Sequence, residues 1–151
     1  MFELGCHVID PMVRLLGEPK KVTPSLRHDS LLRDRLSDNT VALLEWDKAA
    51  GIVEASTLQP DSGRYRAFEI HGEKGVCIVS PIEPPSFTVD LVKAAGPYKA
   101  APQQIPLPPY KRFEDDFIDL AGAVRKEHPL KTSFDDDLKV QSTLLRCSGM
   151  A

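Results

Sequence analysis

Three side chains near the start of the chain have types and a spacing that could do acid–base chemistry. Glu3, His7 and Asp10 occupy positions i, i+4 and i+7, which share one face of a helix. An imidazole between two carboxylates can accept and return a proton near neutral pH, because its unperturbed pKa is about 6.5. A carboxylate four residues away can fix the tautomer of the imidazole and stabilise its protonated form. The same set could also hold a metal ion, although no cysteine cluster or second histidine at ligand spacing accompanies it.

A structural interpretation of the same segment remains open. Asp10 followed by Pro11 is typical of a helix N-cap with proline in the first helical position, and Gly17 would end that helix. A proline here should in any case kink or restart the helix. His7 could be a solvated polar residue, and Cys6 beside it is expected to be a buried, inert thiol.

An apolar stripe predicts the helix that would position these side chains. Its members recur at helical spacing and are Phe2, Cys6, Ile9, Val13 and Leu16. Gly17 and Pro19 are the expected end of the helix. Two further helices are predicted near the end of the chain, over 113–124 and after Ser133, which would cap the last one together with Asp136.

Six segments between these helices have the patterns of β-strands. They are 21–26, 40–46, 52–58, 64–71, 76–79 and 87–91. Residues 40–46 are apolar on both faces, which indicates a buried central strand. Eight of the 13 prolines lie between Pro81 and Pro109, so residues 96–110 are expected to form an extended, proline-rich loop.

This order of elements predicts an α+β fold. We expect one domain over residues 1–151, with a mostly antiparallel, open sheet of about six strands and helices packed on one face. Three helices cannot cover both faces of such a sheet. The uncovered face, with either Leu43 or Leu44 pointing outward, is expected to pair two copies of the chain as a homodimer.

Composition excludes several classes of protein. The 151 residues are 42% hydrophobic and 27% charged, as in an ordinary globular domain. A net charge of −3 leaves no basic excess for nucleic acid, and no apolar run approaches the roughly 18 residues of a membrane span. The three cysteines are odd in number and far apart, which favours a reducing compartment and predicts a cytoplasmic location.

Several short motifs follow one another in an order that is typical of one enzyme family. Residues 3–10 read ELGCHVID, residues 15–22 read LLGEPKKV and residues 69–75 read EIHGEKG. The hairpin at 38–51 and the helix pair at 113–141 continue the pattern. Together they resemble the C-terminal domain of the glucose–fructose oxidoreductase, inositol dehydrogenase and rhizopine-catabolism family of NAD(P)-dependent oxidoreductases.

This resemblance implies a substrate-binding and dimerisation domain that acts on a sugar or polyol hydroxyl by hydride transfer. It implies that NAD or NADP binds to an N-terminal nucleotide-binding domain, and none is expected on this chain alone, which has no G-x-G-x-x-G turn and no Rossmann domain. By resemblance, His7 transfers the hydroxyl proton and Asp10 binds substrate or orients the site. Glu3 stands where the family more often has Asp.

Two other functions remain open at this point. The chain could be a non-catalytic β-sheet module whose activity is self-association. It could also be a metal-dependent hydrolase that uses Glu3, His7 and Asp10.

Overall fold

The computed structural model describes residues 1–109, 111 and 113–151. Within them the chain forms two compact units, one of residues 1–59 and 116–151 and one of residues 60–115. The elements in chain order are α1 (Phe2–Leu16), β1 (Lys21–Arg27), β2 (Asn39–Glu45), β3 (Ala50–Ser56), α2 (Ser62–Tyr65), β4 (Phe68–Gly72), β5 (Gly75–Val79), β6 (Phe87–Leu91), β7 (Gln103–Ile105), α3 (Glu114–Val124) and α4 (Phe134–Cys147).

The arrangement of these elements confirms the α+β class. Each strand pairs antiparallel with its neighbours, in the order β1-β2-β3 in one sheet and β4-β5-β6-β7 in the other. The described strands thus divide into two hydrogen-bonded sheets, a division that strand patterning does not reveal. No described helix is both long and apolar enough to cross a membrane.

The first sheet packs one of its faces against α1 and α4. In β2 the side chains of Thr40, Ala42 and Leu44 are fully buried, whereas Val41 and Leu43 are each 37% exposed. Buried and exposed side chains alternate because successive side chains of a strand point to opposite faces of the sheet. α1 contacts β3, and α4 contacts β1, so the two helices cover the Leu44 face. β2 is therefore central, as predicted, with Leu43 on the opposite face.

The packed face of α1 differs from the predicted stripe at its two ends. The buried residues are Gly5, Ile9, Met12 and Val13. Ile9 and Val13 belong to the predicted stripe, but Phe2 and Leu16 are 42% and 48% exposed. The face is rotated toward Met12, whose side chain fills the space above Gly51 of β3. Burying a side chain the size of Ile9 contributes about 1.5–3 kcal/mol, so the packed face decides the orientation of the helix.

α1 continues through Pro11 without restarting. Asp10 is therefore an interior helical residue, and its interpretation as an N-cap is wrong. A proline has no N–H, so the carbonyl of His7, four residues earlier, loses the donor that an α-helix normally supplies. Burial of Ile9 and Val13, before and after Pro11 in the helix, offsets the stability lost with this hydrogen bond.

The N-terminus of α4 is capped as the sequence predicts. The hydroxyl oxygen of Ser133 accepts from the backbone N–H of Asp136 at 3.1 Å and donates to its carboxylate at 2.7 Å. The second bond replaces the backbone bond of a standard capping box. It also lowers the pKa of Asp136, whose charge favours the positive end of the helix dipole.

The second unit contains the other sheet, and its first strand is shorter than the sequence predicts. The pattern of residues 64–71 predicts a strand, but Arg64 and Tyr65 end the short helix α2 and the strand begins at Phe68. The guanidinium of Arg64 lies 5.7 Å from the centre of the Tyr65 ring. The predicted loop 96–110 includes the short strand β7, and its last residue, Tyr110, lies outside the described residues.

Candidate functional site

α1 carries all three predicted site residues. Glu3 and His7 are exposed, and Asp10 is half-buried. Because the helix is continuous from Phe2, Glu3 lies about one turn before His7 on the same side. Among the described residues neither the Glu3 carboxylate nor the His7 imidazole has a hydrogen bond or ion pair. The N-terminal half of the helix thus carries an exposed imidazole and an exposed carboxylate that a ligand or another domain could contact.

The third residue, Asp10, is held by a neighbour on its own helix. Arg14 Nε lies 2.9 Å from each carboxylate oxygen of Asp10, and Arg14 Nη2 lies 2.8 Å from Oδ1. The same Nη2 is 3.5 Å from Oδ1 of Asp137 on α4. These bonds, which Arg14 donates to the Asp10 carboxylate, raise the pKa of Arg14. Asp10 is therefore one end of a tether that joins the two helices, and the structure does not bring its carboxylate to His7.

Sequence reasoning missed Arg14. Its spacing of four residues from Asp10 is the signal that could have found it, because an acid and a base at i and i+4 are neighbours on a helix. Its second partner, Asp137, is 123 residues away in sequence and could not be found from spacing.

The N-terminal half of α1 combines the two site side chains with apolar surface. Phe2 is 42% exposed and Leu4 is 53% exposed, on either side of Glu3. Cys6 is half-buried and its Sγ donates to the backbone carbonyl of Glu3 at 3.1 Å, so this thiol has a local structural partner. Exposed apolar groups beside an imidazole and a carboxylate are typical of a surface that binds a ligand or another domain.

Metal ligation is not supported by the arrangement. In the part of the chain that the structure describes, no group of three or more His, Cys, Asp and Glu side chains is placed to hold a metal ion. Glu3, His7 and Asp10 are consequently not assembled as ligands.

Cys147, the second cysteine in the first unit after Cys6, is not suited to act as a nucleophile. Cys147 of α4 is fully buried, and burial raises the pKa of its thiol to about 11. A thiol with that pKa is protonated at neutral pH and remains inert.

Comparison with known proteins places the chain in a family. Residues 1–78, which are 78 of the 151 residues and include the whole predicted site, match the family described as the GFO/IDH/MocA C-terminal domain. No curated protein sequence matches the chain.

Solved structures share the fold at low sequence identity. A UDP-N-acetylglucosamine 3-dehydrogenase from Acidithiobacillus ferrooxidans superposes with a TM-score of 0.81 at 14% identity, covering 98% of this chain and 45% of its own. An NAD binding oxidoreductase from Klebsiella pneumoniae gives 0.77 at 17% identity, covering 98% and 47%. An oxidoreductase from Agrobacterium radiobacter, in complex with NAD+, L-tartaric acid and magnesium, gives 0.70 at 18% identity, covering 99% and 46%.

The chain spans about half the length of each of these structures. Their identities are low enough that they establish likeness of fold, while the match over residues 1–78 establishes the family. The chain belongs to the GFO/IDH/MocA C-terminal domain family.

Proposed function

We propose that the chain is the substrate-binding and dimerisation domain of an NAD(P)-dependent oxidoreductase that oxidises a sugar or polyol hydroxyl. The observation that carries the proposal is the family match over residues 1–78, which contains an exposed histidine, His7, on the first helix. The names of two structural neighbours support the reaction class, since one is a dehydrogenase of a sugar nucleotide and another is in complex with NAD+ and a hydroxy acid.

The described residues do not fit the dinucleotide itself. A Rossmann site needs a parallel strand, a glycine-rich turn and a helix N-terminus facing the pyrophosphate. Here both sheets are antiparallel, and the first turn of α4 carries three carboxylates, which repel phosphate. In this proposal the nicotinamide, which would accept the hydride, therefore binds to another part of the enzyme. The residues of this chain transfer the proton.

In this proposal His7 is the proton-transfer residue. When an alcohol is oxidised, the carbon loses a hydride and the oxygen loses a proton, leaving a carbonyl. The imidazole of His7 accepts that proton in the forward direction and returns it in reverse. The Glu3 carboxylate lies one turn earlier on the same exposed side of α1.

Asp10 takes the second of the two roles foreseen for it, which is to orient the site. Through Arg14 it ties α1 to Asp137 of α4, and this tether adds to the apolar packing that positions the helix carrying His7. Pro11 has no N–H, so it does not donate to the His7 carbonyl as another residue at this position of the helix would.

The uncovered face of the first sheet is the proposed dimer interface. Leu43 of β2 lies directly opposite Ile52 of β3, and these side chains are 37% and 72% exposed. Val41, 37% exposed, extends the apolar patch along β2. A second copy packed sheet on sheet would cover this patch with the same patch, as a two-fold interface requires. We also propose a cytoplasmic location, in keeping with free cysteines at positions 6, 77 and 147.

The experiment that tests the proposal uses the protein as its gene encodes it, with any residues upstream of Met1. NAD+ and NADP+ are each offered with nucleotide sugars, free sugars, polyols and hydroxy acids, and reduction of the nicotinamide is followed by absorbance. We expect reduction with at least one of these alcohols. Calorimetry of the 151-residue chain alone should show no micromolar binding of NADH.

Two outcomes would contradict the proposal. Micromolar NADH binding by the 151-residue chain would place the cofactor on this domain. A gene product no longer than this chain, without oxidoreductase activity but dimeric in solution, would favour the alternative of a non-catalytic self-association module.

A further inference from the structure

The segment of residues 28–38, which joins β1 to β2, is closed by one side chain. The Nδ1 atom of His28 lies 2.7 Å from the carbonyl oxygen of Leu36, and Nε2 lies 2.9 Å from the carbonyl oxygen of Leu32. A carbonyl oxygen only accepts, so both ring nitrogens must donate. A neutral imidazole carries one N–H and a protonated one carries two. The geometry therefore requires the protonated ring.

The charged groups around this ring favour the same state. Nδ1 of His28 is 3.3 Å from Oδ2 of Asp38 and 3.7 Å from Oδ1 of Asp34. The Asp38 side chain is only 8% exposed and also accepts from the backbone N–H groups of Asp29 and Ser30, at 2.8 and 3.1 Å. Asp29 adds a further carboxylate, although Arg27 neutralises it by two bonds.

Little apolar packing supplements these bonds. The side chains of Leu31, Leu32 and Leu36 are all exposed, with Leu31 fully so. A segment without buried apolar side chains has a low free energy of local opening. The two bonds from His28 are consequently a large part of what holds residues 32–36 in place.

We propose that residues 28–38 are a proton-operated clasp, in which protonated His28 closes the segment on the carbonyls of Leu32 and Leu36 and loss of one proton opens it. The carbonyl bonds raise the pKa of His28 above its usual value near 6.5. A raised pKa means that the clasp is fully closed below that usual value and opens as the pH rises through the raised one. This inference is independent of the proposed enzymatic function.

Limited proteolysis can read the state of the clasp, because Arg33 and Arg35 lie inside it and are exposed. Trypsin is applied to the full chain at about pH 6, below the usual pKa of histidine near 6.5, and at about pH 8, above it. Cleavage at these arginines is divided by cleavage at Lys99, a loop site in the other unit, which cancels the pH dependence of trypsin itself. We expect this ratio to rise several-fold at the higher pH.

Two variants separate the clasp from other effects of pH. His28→Gln should give a high ratio at both pH values, because an amide cannot bridge both carbonyls as a charged ring does. His71→Gln is the matched control, since it removes a histidine from β4 that contacts Glu69 and no part of the clasp. This control should behave like the native chain.

An NMR titration of the His28 ring keeps the test decisive if His28→Gln fails to fold. We expect both ring nitrogens to be protonated at about pH 6 and the titration midpoint to lie above about 6.5. A neutral His28 ring at that pH, or a cleavage ratio in the native chain that is the same at both pH values, would overturn the proposal.

Discussion

Asp10 and Arg14 lie one turn apart on α1 and are hydrogen-bonded, with both carboxylate oxygens of Asp10 at 2.9 Å from Nε of Arg14. Because Arg14 also reaches Asp137 of α4 at 3.5 Å, this pair connects the helix of the proposed site to the helix beside it. A carboxylate engaged in this way influences the site through the position of α1.

Asp10→Asn tests this role. Both side chains of the pair are about one-third exposed, at 38% for Asp10 and 34% for Arg14. We therefore expect the free energy of unfolding in urea to fall by only about 0.2–1 kcal/mol. Asp47→Asn, which removes the exposed pair with Lys20, is the control for a surface ion pair. In the active enzyme kcat should fall more than KM rises, whereas a rise in KM of roughly tenfold or more at unchanged kcat would place Asp10 on the substrate.

His7→Ala tests proton transfer in the full-length enzyme. Turnover should fall by roughly 10²–10⁴, the usual effect of losing a general acid or base. The fold should be retained because the side chain is exposed. His71→Ala is the control for removing a surface histidine. Unchanged turnover in His7→Ala would assign His7 a structural role.

Leu43→Glu tests the dimer interface. The native chain should elute with a mass about twice 16.7 kDa by light scattering after size exclusion. A charge at Leu43 should shift the mass toward that of the monomer, because it cannot be buried unpaired between two sheets. Leu138→Glu, at a leucine of α4 that is 67% exposed, should leave the dimer intact. A native chain that stays monomeric at high concentration would refute the interface.

Gly75→Ala should destabilise the hairpin between β4 and β5. Gly75 has a φ of 151°, and a Cβ there would collide with the backbone carbonyl oxygen of Asp90 on β6. We expect the free energy of unfolding, measured by thermal unfolding, to fall by about 2 kcal/mol or more. Gly96→Ala is the matched control, since Gly96 also has a positive φ, 56°, but its Cβ would meet open space. Equal effects of the two substitutions would contradict the collision.

Two carboxylates, those of Asp38 and Asp29, determine how the clasp behaves at low pH. Hydrogen bonds from Ser30 and from the Asp29 N–H lower the pKa of Asp38, and Arg27 lowers the pKa of Asp29 to about 2. A lowered pKa means that the stabilisation is present above the usual value near 3.9 and is lost as the pH falls.

Amide hydrogen exchange measures this loss directly. Protection of the Asp29 and Ser30 N–H groups should decrease as the pH falls below about 4, once the intrinsic pH dependence of exchange is removed. Asp38→Asn should show low protection throughout. Constant protection of the native chain across this range would contradict the role of the Asp38 carboxylate.

Local patterns in the sequence were sufficient to predict most elements of this protein. Strand β6 has the bounds that alternation predicts, and Ser133 caps α4 as its position before an acidic turn indicates. Both depend on neighbours within a few residues, and such interactions can be read from spacing. The order of the motifs likewise identified the family, since order and spacing along the chain need no tertiary information.

Tertiary structure decided the features that depend on what covers each surface. Pro11 lies inside a continuous helix because burial of Ile9 and Val13 outweighs the roughly 3 kcal/mol that an interior proline costs. Leu44 faces the helices and Leu43 faces outward, a choice that two equally apolar neighbours leave open until α1 and α4 pack on one face. The contact of Arg14 with Asp137 depends in the same way on helix packing across 123 residues of sequence.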